Sequence, residues 1–267
     1  RRFGPYFDGS AFAGNPRDGI PIPFYYLPFH TEWPVRRPLP RGSSVFSDQA
    51  YIDGFTGVVT DFERHIDKMG WHRTTFFAYN NEKAHWGYQP WDLDEPTVPA
   101  DYEALNFYAG MLHNGIRNEG GAEMLYRCDM GHFSYMRGEL DQQMDVWVIN
   151  RGDYPESQVR ERIADGDVSW TYGDAPRIAE NMAENYFDFF WNWSRAARGY
   201  VYWDSFQAWS GDAWNDNHDG STNLFYPGMA GDVNMLGHTV CPSLRMKAIR
   251  DYNEIGEMFY IMQCSRY

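Results

Sequence analysis

The sequence predicts an α/β fold of the TIM-type β/α barrel, and three observations carry that expectation. Short β-rich runs alternate with segments of helical spacing, polar residues gather just after the runs, and 267 residues are enough for one large α/β unit. Alternation implies parallel strands joined by right-handed crossovers, which an open doubly wound sheet and a closed barrel satisfy equally. Periodicity does not separate them. The polar residues tilt the reading to the barrel: His30 and Glu32, Asn80 to Glu82, Asp129, Asp174 and Asp204 each closely follow a strand. Barrel active sites sit at the C-terminal ends of several strands.

In chain order the expected strands are 23–29, 74–79, 123–128, 145–149, 168–172 and 199–203, each brief, as core strands are. Helical spacing fills 52–69, 101–112, 155–163 and 178–197, and several of these segments close near a glycine. Six runs are two short of closure, and 1–20 is Gly-rich and irregular. The expectation is therefore the later part of a barrel, lacking its first strands. No repeat of fixed period and no low-complexity linker divides the chain, so a single domain over 1–267 is the simplest organisation.

Composition narrows the function classes. With 43% hydrophobic and 22% charged residues the chain can bury a core without disulfide or metal staples. Lys and Arg number 23 against 37 Asp and Glu, a formal net charge of -14 that opposes polyanions and argues against a nucleic-acid partner. No apolar run approaches the roughly 18 residues of a membrane span, and a soluble protein is expected. Cys128, Cys241 and Cys264 are too few and too scattered for a disulfide framework or a CxxC metal site. Aromatic residues reach 18%, with 11 Trp and 19 Tyr. Rings with a polar edge suit surfaces that stack on sugars, and equally suit a large aromatic core.

The densest stretch is TTFFAYNNEKAHWGYQPWDLDEP, residues 74–96, in which a strand ends in Asn80, Asn81 and Glu82 and an excursion leads to Asp94-Glu95-Pro96. Side-by-side acids repel, and a desolvated member of such a pair can supply the proton of a general acid. Pro96 biases Glu95 toward extended backbone. The competing structural reading is a helix start, with the acids stabilising the N-terminus of the segment from Asp101.

Other constellations carry the same double reading. His30-Thr-Glu32-Trp33 follows the first strand; if extended geometry continues, His30 and Glu32 share one face beside Trp33 as a stacking platform, or they brace a loop. Arg127 and Asp129 stand at alternate positions and project to one side of their strand, either as an ion pair that orders neighbouring groups or as a pair that takes part in the chemistry. Tyr172 would line an aromatic cleft with Trp33 and Trp203, and 199–204, ending in Trp203 and Asp204, reads as the floor of a sugar pocket or as core packing. The loop Asn215-Asp-Asn-His-Asp-Gly220 imitates a calcium loop, but its twelfth position is Tyr226, so an Asx-rich turn is expected rather than a metal site. HExxH, paired CxxC, GxSxG, GxxxxGK[ST] and GxGxxG are all absent, and no metal or cofactor is expected.

These residues carry a family resemblance. Trp91-Asp-Leu-Asp-Glu-Pro96, Gly199-Tyr-Val-Tyr-Trp203, Phe225-Tyr-Pro-Gly228 and Pro242-Ser-Leu-Arg245 make the chain resemble a bacterial domain-of-unknown-function family grouped with the catalytic domain of glycoside hydrolase family 123. Residues 26–34 and 126–129 fit more loosely. The resemblance implies a β/α barrel and a β-N-acetylgalactosaminidase acting by substrate assistance, in which the sugar's 2-acetamido oxygen attacks the anomeric carbon. Carried over, Asp94 would orient and polarise the acetamido group, and Glu95 would protonate the leaving oxygen and later activate water. His30, Glu32, Trp33, Asn80, Asn81, Glu82, Arg127, Asp129, Tyr172, Trp203 and Asp204 would bind the carbohydrate. The sequence leaves the location open, and only the resemblance favours a secreted or cell-surface one. Two alternatives stand beside it: a retaining or inverting glycosidase pairing Glu82 or Glu95 with Asp129 or Asp204, and a non-catalytic carbohydrate-binding or surface protein.

Overall fold

Four of the six expected strands form one parallel ladder in the first of two compact units, Arg1–Val168 and Ser169–Tyr267. The computed structural model describes residues 2–36, 43–87, 89–132, 138–173, 183–202, 205, 223–227 and 240–265. Strands β1 (Phe24–Leu27), β2 (Thr75–Tyr79), β3 (Glu123–Met130) and β4 (Val146–Asn150) lie side by side in chain order, with Tyr26 opposite Phe77, Ala78 opposite Tyr126 and Asp129 opposite Val148. Most residues of β2, β3 and β4 are buried, the continuous apolar pattern of strands covered on both faces.

Strand order separates the two architectures that periodicity could not. A doubly wound sheet reverses direction at a switch point, whereas each of these strands adds beyond the last, as in a barrel wall. The fold is α/β. A full eight-stranded barrel is not confirmed: the parallel strands among the described residues number six, four here and two in the second unit.

Two crossover helices pack together beside the ladder: α2 (Gln49–Met69) between β1 and β2, and α3 (Pro99–Gly115) between β2 and β3. Asp48 caps α2, accepting from Tyr51 N at 2.9 Å, and Gly70 ends it in left-handed backbone, φ 69°. Tyr51, Phe55, Val59 and Ile66 form its buried stripe. Gly115 lets the helices approach: a Cβ there would lie 2.5 Å from Val59 Cβ, and Thr60 Oγ1 donates to Gly115 O at 2.6 Å. Tyr102, Leu105, Tyr108 and Leu112 of α3 bury against the same core as Phe76, Tyr126 and Trp147.

The start of the chain is more ordered than its glycines suggest. A short helix, α1 (Gly4–Asp8), seats Phe7 against Tyr25, Trp71 and Phe76 at centroid distances of 4.8, 4.9 and 5.2 Å. Helix α4 (Glu156–Asp165) follows β4.

In the second unit, β5 (Val168–Gly173) pairs in parallel with β6 (Gly199–Tyr202), placing Tyr172 opposite Val201. Helices α5 (Ala183–Ser194) and α6 (Leu244–Cys264) pack together, and β7 (Phe225–Pro227) runs antiparallel to β8 (Val240–Pro242). Helix α6 was not expected from periodicity, because its apolar residues do not gather on one stripe; Met258, Tyr260 and Ile261 are exposed.

Candidate active site

The segment 80–93 leaves the end of β2 and returns to it. Its base is tied by Leu93 N donating to Glu82 O at 2.9 Å, and its middle by Ala84 N donating to Asp92 Oδ1 at 2.8 Å. Trp91 is buried in a stack with Phe46, centroids 5.2 Å apart, and Leu93 is fully buried. The acid pair therefore comes back to the strand that precedes it: Tyr79, the last residue of β2, donates its hydroxyl to Asp94 Oδ1 at 2.6 Å. Glu95 N donates to Asp129 O, near the end of β3, at 3.2 Å. A helix start does not account for the pair. Asp101 instead serves the N-terminus of α3, accepting from Thr97 N and Val98 N, each at 3.0 Å.

Glu95 departs from the extended backbone expected before Pro96. Its φ is 55°, a left-handed conformation that costs a non-glycine residue on the order of 1 kcal/mol. The hydrogen bond to β3 holds it there, and Gly131 makes room: a Cβ on Gly131 would stand 3.2 Å from Glu95 Oε1. Lys83 completes the arrangement, with Nζ 3.3 Å from Asp94 Oδ2 and 3.2 Å from Glu95 Oε2. Partial burial opposes the lysine's charge, yet Asp94 and Glu95 outweigh it and raise its pKa.

Lys83, His85, Asp92, Glu95, His132 and Asn150 face a cavity of about 410 Å³. These residues follow or end β2, β3 and β4, so the cavity opens at the C-terminal edge of the parallel ladder.

Behind the acids lies a buried polar layer. Arg127 forks onto Asp129, Nε to Oδ1 at 2.7 Å and Nη2 to Oδ2 at 2.6 Å, and its guanidinium covers the Tyr79 ring at 4.4 Å. Burial pushes the Asp129 carboxyl up to about 6 although Arg127 pulls it down; Asp94 adds to the rise. The Tyr79 hydroxyl is held well above its usual range by burial, then by Asp129 and Asp94. Arg127 and Asp129 thus form a buried bidentate ion pair, and removing one partner of such a pair costs about 3–5 kcal/mol.

Glu82 and Asn80 are likewise buried and engaged. Glu82 Oε1 accepts from Thr31 N at 2.7 Å, Oε2 from Asn80 Nδ2 at 3.3 Å, and Asn80 Oδ1 accepts from Tyr126 hydroxyl at 2.6 Å. Asn81 is exposed. The expectation that His30 and Glu32 share a strand face is not met, because β1 ends at Leu27. His30 and Trp33 instead close a tight turn, with His30 N donating to Trp33 O at 2.9 Å and Glu32 N donating to His30 Nδ1 at 3.2 Å. Trp33 is 47% exposed and leans on Phe29 rather than lining the cavity.

Tyr172 is half-buried in β5 of the second unit. Trp203, Asp204, Asp174 and the loop 215–220 lie outside the described residues. The motif Pro242-Ser-Leu-Arg245 has an architectural role there. Ser243 caps α6, accepting from Met246 N at 3.1 Å, while buried Arg245 donates to Asn223 O at 2.8 Å and to Tyr226 hydroxyl at 2.9 Å, fastening β7 to the helix. Tyr202 is pushed up to about 12 by burial, against the pull of Arg245.

Sequence reasoning missed Tyr79, Lys83 and Gly131 as site residues. Tyr79 and Lys83 flank the polar cluster 80–82, and that adjacency was the available signal.

Fold and site together define an α/β protein with an adjacent carboxylate pair at the C-terminal ends of parallel strands. No family model and no curated protein matches the chain. Among solved structures it is similar to a family 123 glycoside hydrolase from Clostridium perfringens, 16% identical with a TM-score of 0.49, over 81% of this chain and 36% of that one. The chain spans well under half the length of that protein.

Proposed function

We propose that the protein is a glycoside hydrolase acting on 2-acetamido sugars by substrate assistance. The supporting observation is the placement of Glu95: an acid in left-handed backbone, lining the cavity, next to an Asp94 steadied by Tyr79 and Lys83. Strain of this kind persists where surrounding structure over-determines it, and it clusters at functional sites. In this reading Glu95 protonates the departing glycosidic oxygen and then takes a proton from the attacking water. Asp94 accepts from the acetamido N–H, so that the amide oxygen is turned toward the anomeric carbon and the positive charge that develops on the amide is stabilised. The substrate supplies the nucleophile, an exception to the two-carboxylate scheme.

Glu82 and Asp129 are poor nucleophiles in this reading, since Thr31 N and Asn80 occupy the first and Arg127 the second. A second reading, a two-carboxylate glycosidase, draws on Asp92, which lines the cavity with Glu95. The deciding experiment compares variants on a β-N-acetylgalactosaminide with a poor leaving group. Glu95→Gln is expected to lower turnover by about 100- to 10,000-fold. Asp94→Asn should harm 2-acetamido substrates selectively, whereas Asp92→Asn should match that loss only under the second reading. Full activity in Glu95→Gln would overturn both.

A further inference from the structure

The ammonium of Lys83 sits between two carboxylates that neighbour each other in sequence, 3.3 Å from Asp94 Oδ2 and 3.2 Å from Glu95 Oε2. Side chains of successive residues ordinarily diverge, and two acids converging on one cation need a reason. Here Tyr79 fixes Asp94 from the strand below, and the left-handed backbone of Glu95 turns its side chain to the same point. Lys83 is itself placed by the ties at Ala84 and Leu93 on either side of the excursion. An ammonium has three donors. Two reach Asp94 and Glu95, and the lysine also lines the cavity.

We propose that Lys83 is a positioning residue for the acid pair, holding Asp94 and Glu95 at a fixed separation, with its third N–H left for a hydroxyl oxygen of the saccharide in the cavity. This rests on the glycosidase reading for its consequence, while the geometric part stands without it. A proton donor displaced by a fraction of a bond length from the leaving oxygen loses most of its effect, and the loss matters only where the leaving group needs the proton.

The test measures kcat and KM for wild type, Lys83→Met, Lys83→Gln and Lys83→Arg on two substrates of one sugar, an activated aryl glycoside and one with a poor leaving group. The expected result for Lys83→Met is a kcat loss of about tenfold or more on the poor leaving group and a clearly smaller loss on the aryl glycoside, with KM rising for both. Lys83→Arg should recover most of the kcat loss, since its fork can span two carboxylates. Equal losses on the two substrates would overturn the proposal. Lys83→Gln, which keeps a donor of similar reach, covers the case in which Lys83→Met does not fold.

A second arm needs no substrate. Carboxyl carbon-13 spectra of wild type and Lys83→Met should differ at both Asp94 and Glu95, whereas Tyr79→Phe should move Asp94 first. Unmoved Asp94 and Glu95 signals in Lys83→Met would overturn the inference. A wild type without turnover on any 2-acetamido glycoside would sink the glycosidase reading and leave this arm to judge Lys83.

Discussion

The hydroxyl of Tyr79 donates to Asp94 Oδ1 at 2.6 Å, so the last residue of β2 holds the first acid of a pair that the chain reaches only after a long detour. Asp94 thereby owes its position to a strand rather than to its own loop. Tyr79→Phe keeps the ring under the Arg127 guanidinium and deletes the donor. The expected outcome is a kcat loss of roughly tenfold on 2-acetamido substrates and a stability loss of about 1.5–3 kcal/mol, the usual worth of a hydrogen bond to a charged group. Steady-state kinetics with urea titration checks both.

Gly131 offers a test of Glu95 that spares the acid itself. An added Cβ would press on Glu95 Oε1 from 3.2 Å, and the carboxylate, with 38% of its side chain exposed, can yield. Gly131→Ala should therefore change stability by no more than about 0.5 kcal/mol while lowering kcat several-fold. An unchanged kcat with an unchanged melting temperature would show that the Glu95 position tolerates displacement.

Gly115 predicts the opposite pattern. A Cβ there meets Val59 Cβ at 2.5 Å, backbone against branch point, with nothing free to swing aside. Gly115→Ala should destabilise by about 1–3 kcal/mol, and activity per folded molecule should hold. Adding Val59→Ala should recover little of the loss, since alanine keeps the Cβ at 2.5 Å and the Thr56 carbonyl oxygen still stands at 2.9 Å, whereas Val59→Gly removes the closer contact.

His113 gives the fold a pH dependence of known sign. Its Nε2 lies 2.9 Å from Asp145 Oδ2, and that hydrogen bond raises the imidazole pKa above 6.5 although burial opposes it. A histidine with a raised folded pKa contributes stability that is complete below its unfolded value near 6.5 and is lost as pH rises through the folded value. Urea unfolding from pH 5 to 9 should show this decline in wild type, and His113→Gln should flatten it.

Much of the fold was legible because its signals are local. All six parallel strands lie where β-rich runs place them, and α2 is marked by Asp48, Gly70 and a clear apolar stripe. Helix α6 carries no such stripe and ends at Ser265 without a glycine, so periodicity passed over it. The site was legible as residue types but not as geometry. The pair Asp94 and Glu95 stood out as adjacent acids, yet their return to β2 depends on Leu93 bonding Glu82 and on Trp91 stacking with Phe46, contacts between residues far apart in character and in chain. His30 and Glu32 misled for the converse reason: alternation continued past Leu27 in the sequence, and the backbone had already turned.

The tie between Leu93 and Glu82 has an evolutionary and practical consequence. Because the acids are moored at the neck of the excursion, its outer bend near Gly87 can lengthen or shorten without dragging them off the sheet edge. Motif spacing is then a poor ruler for where an acid pair of this design meets its sheet.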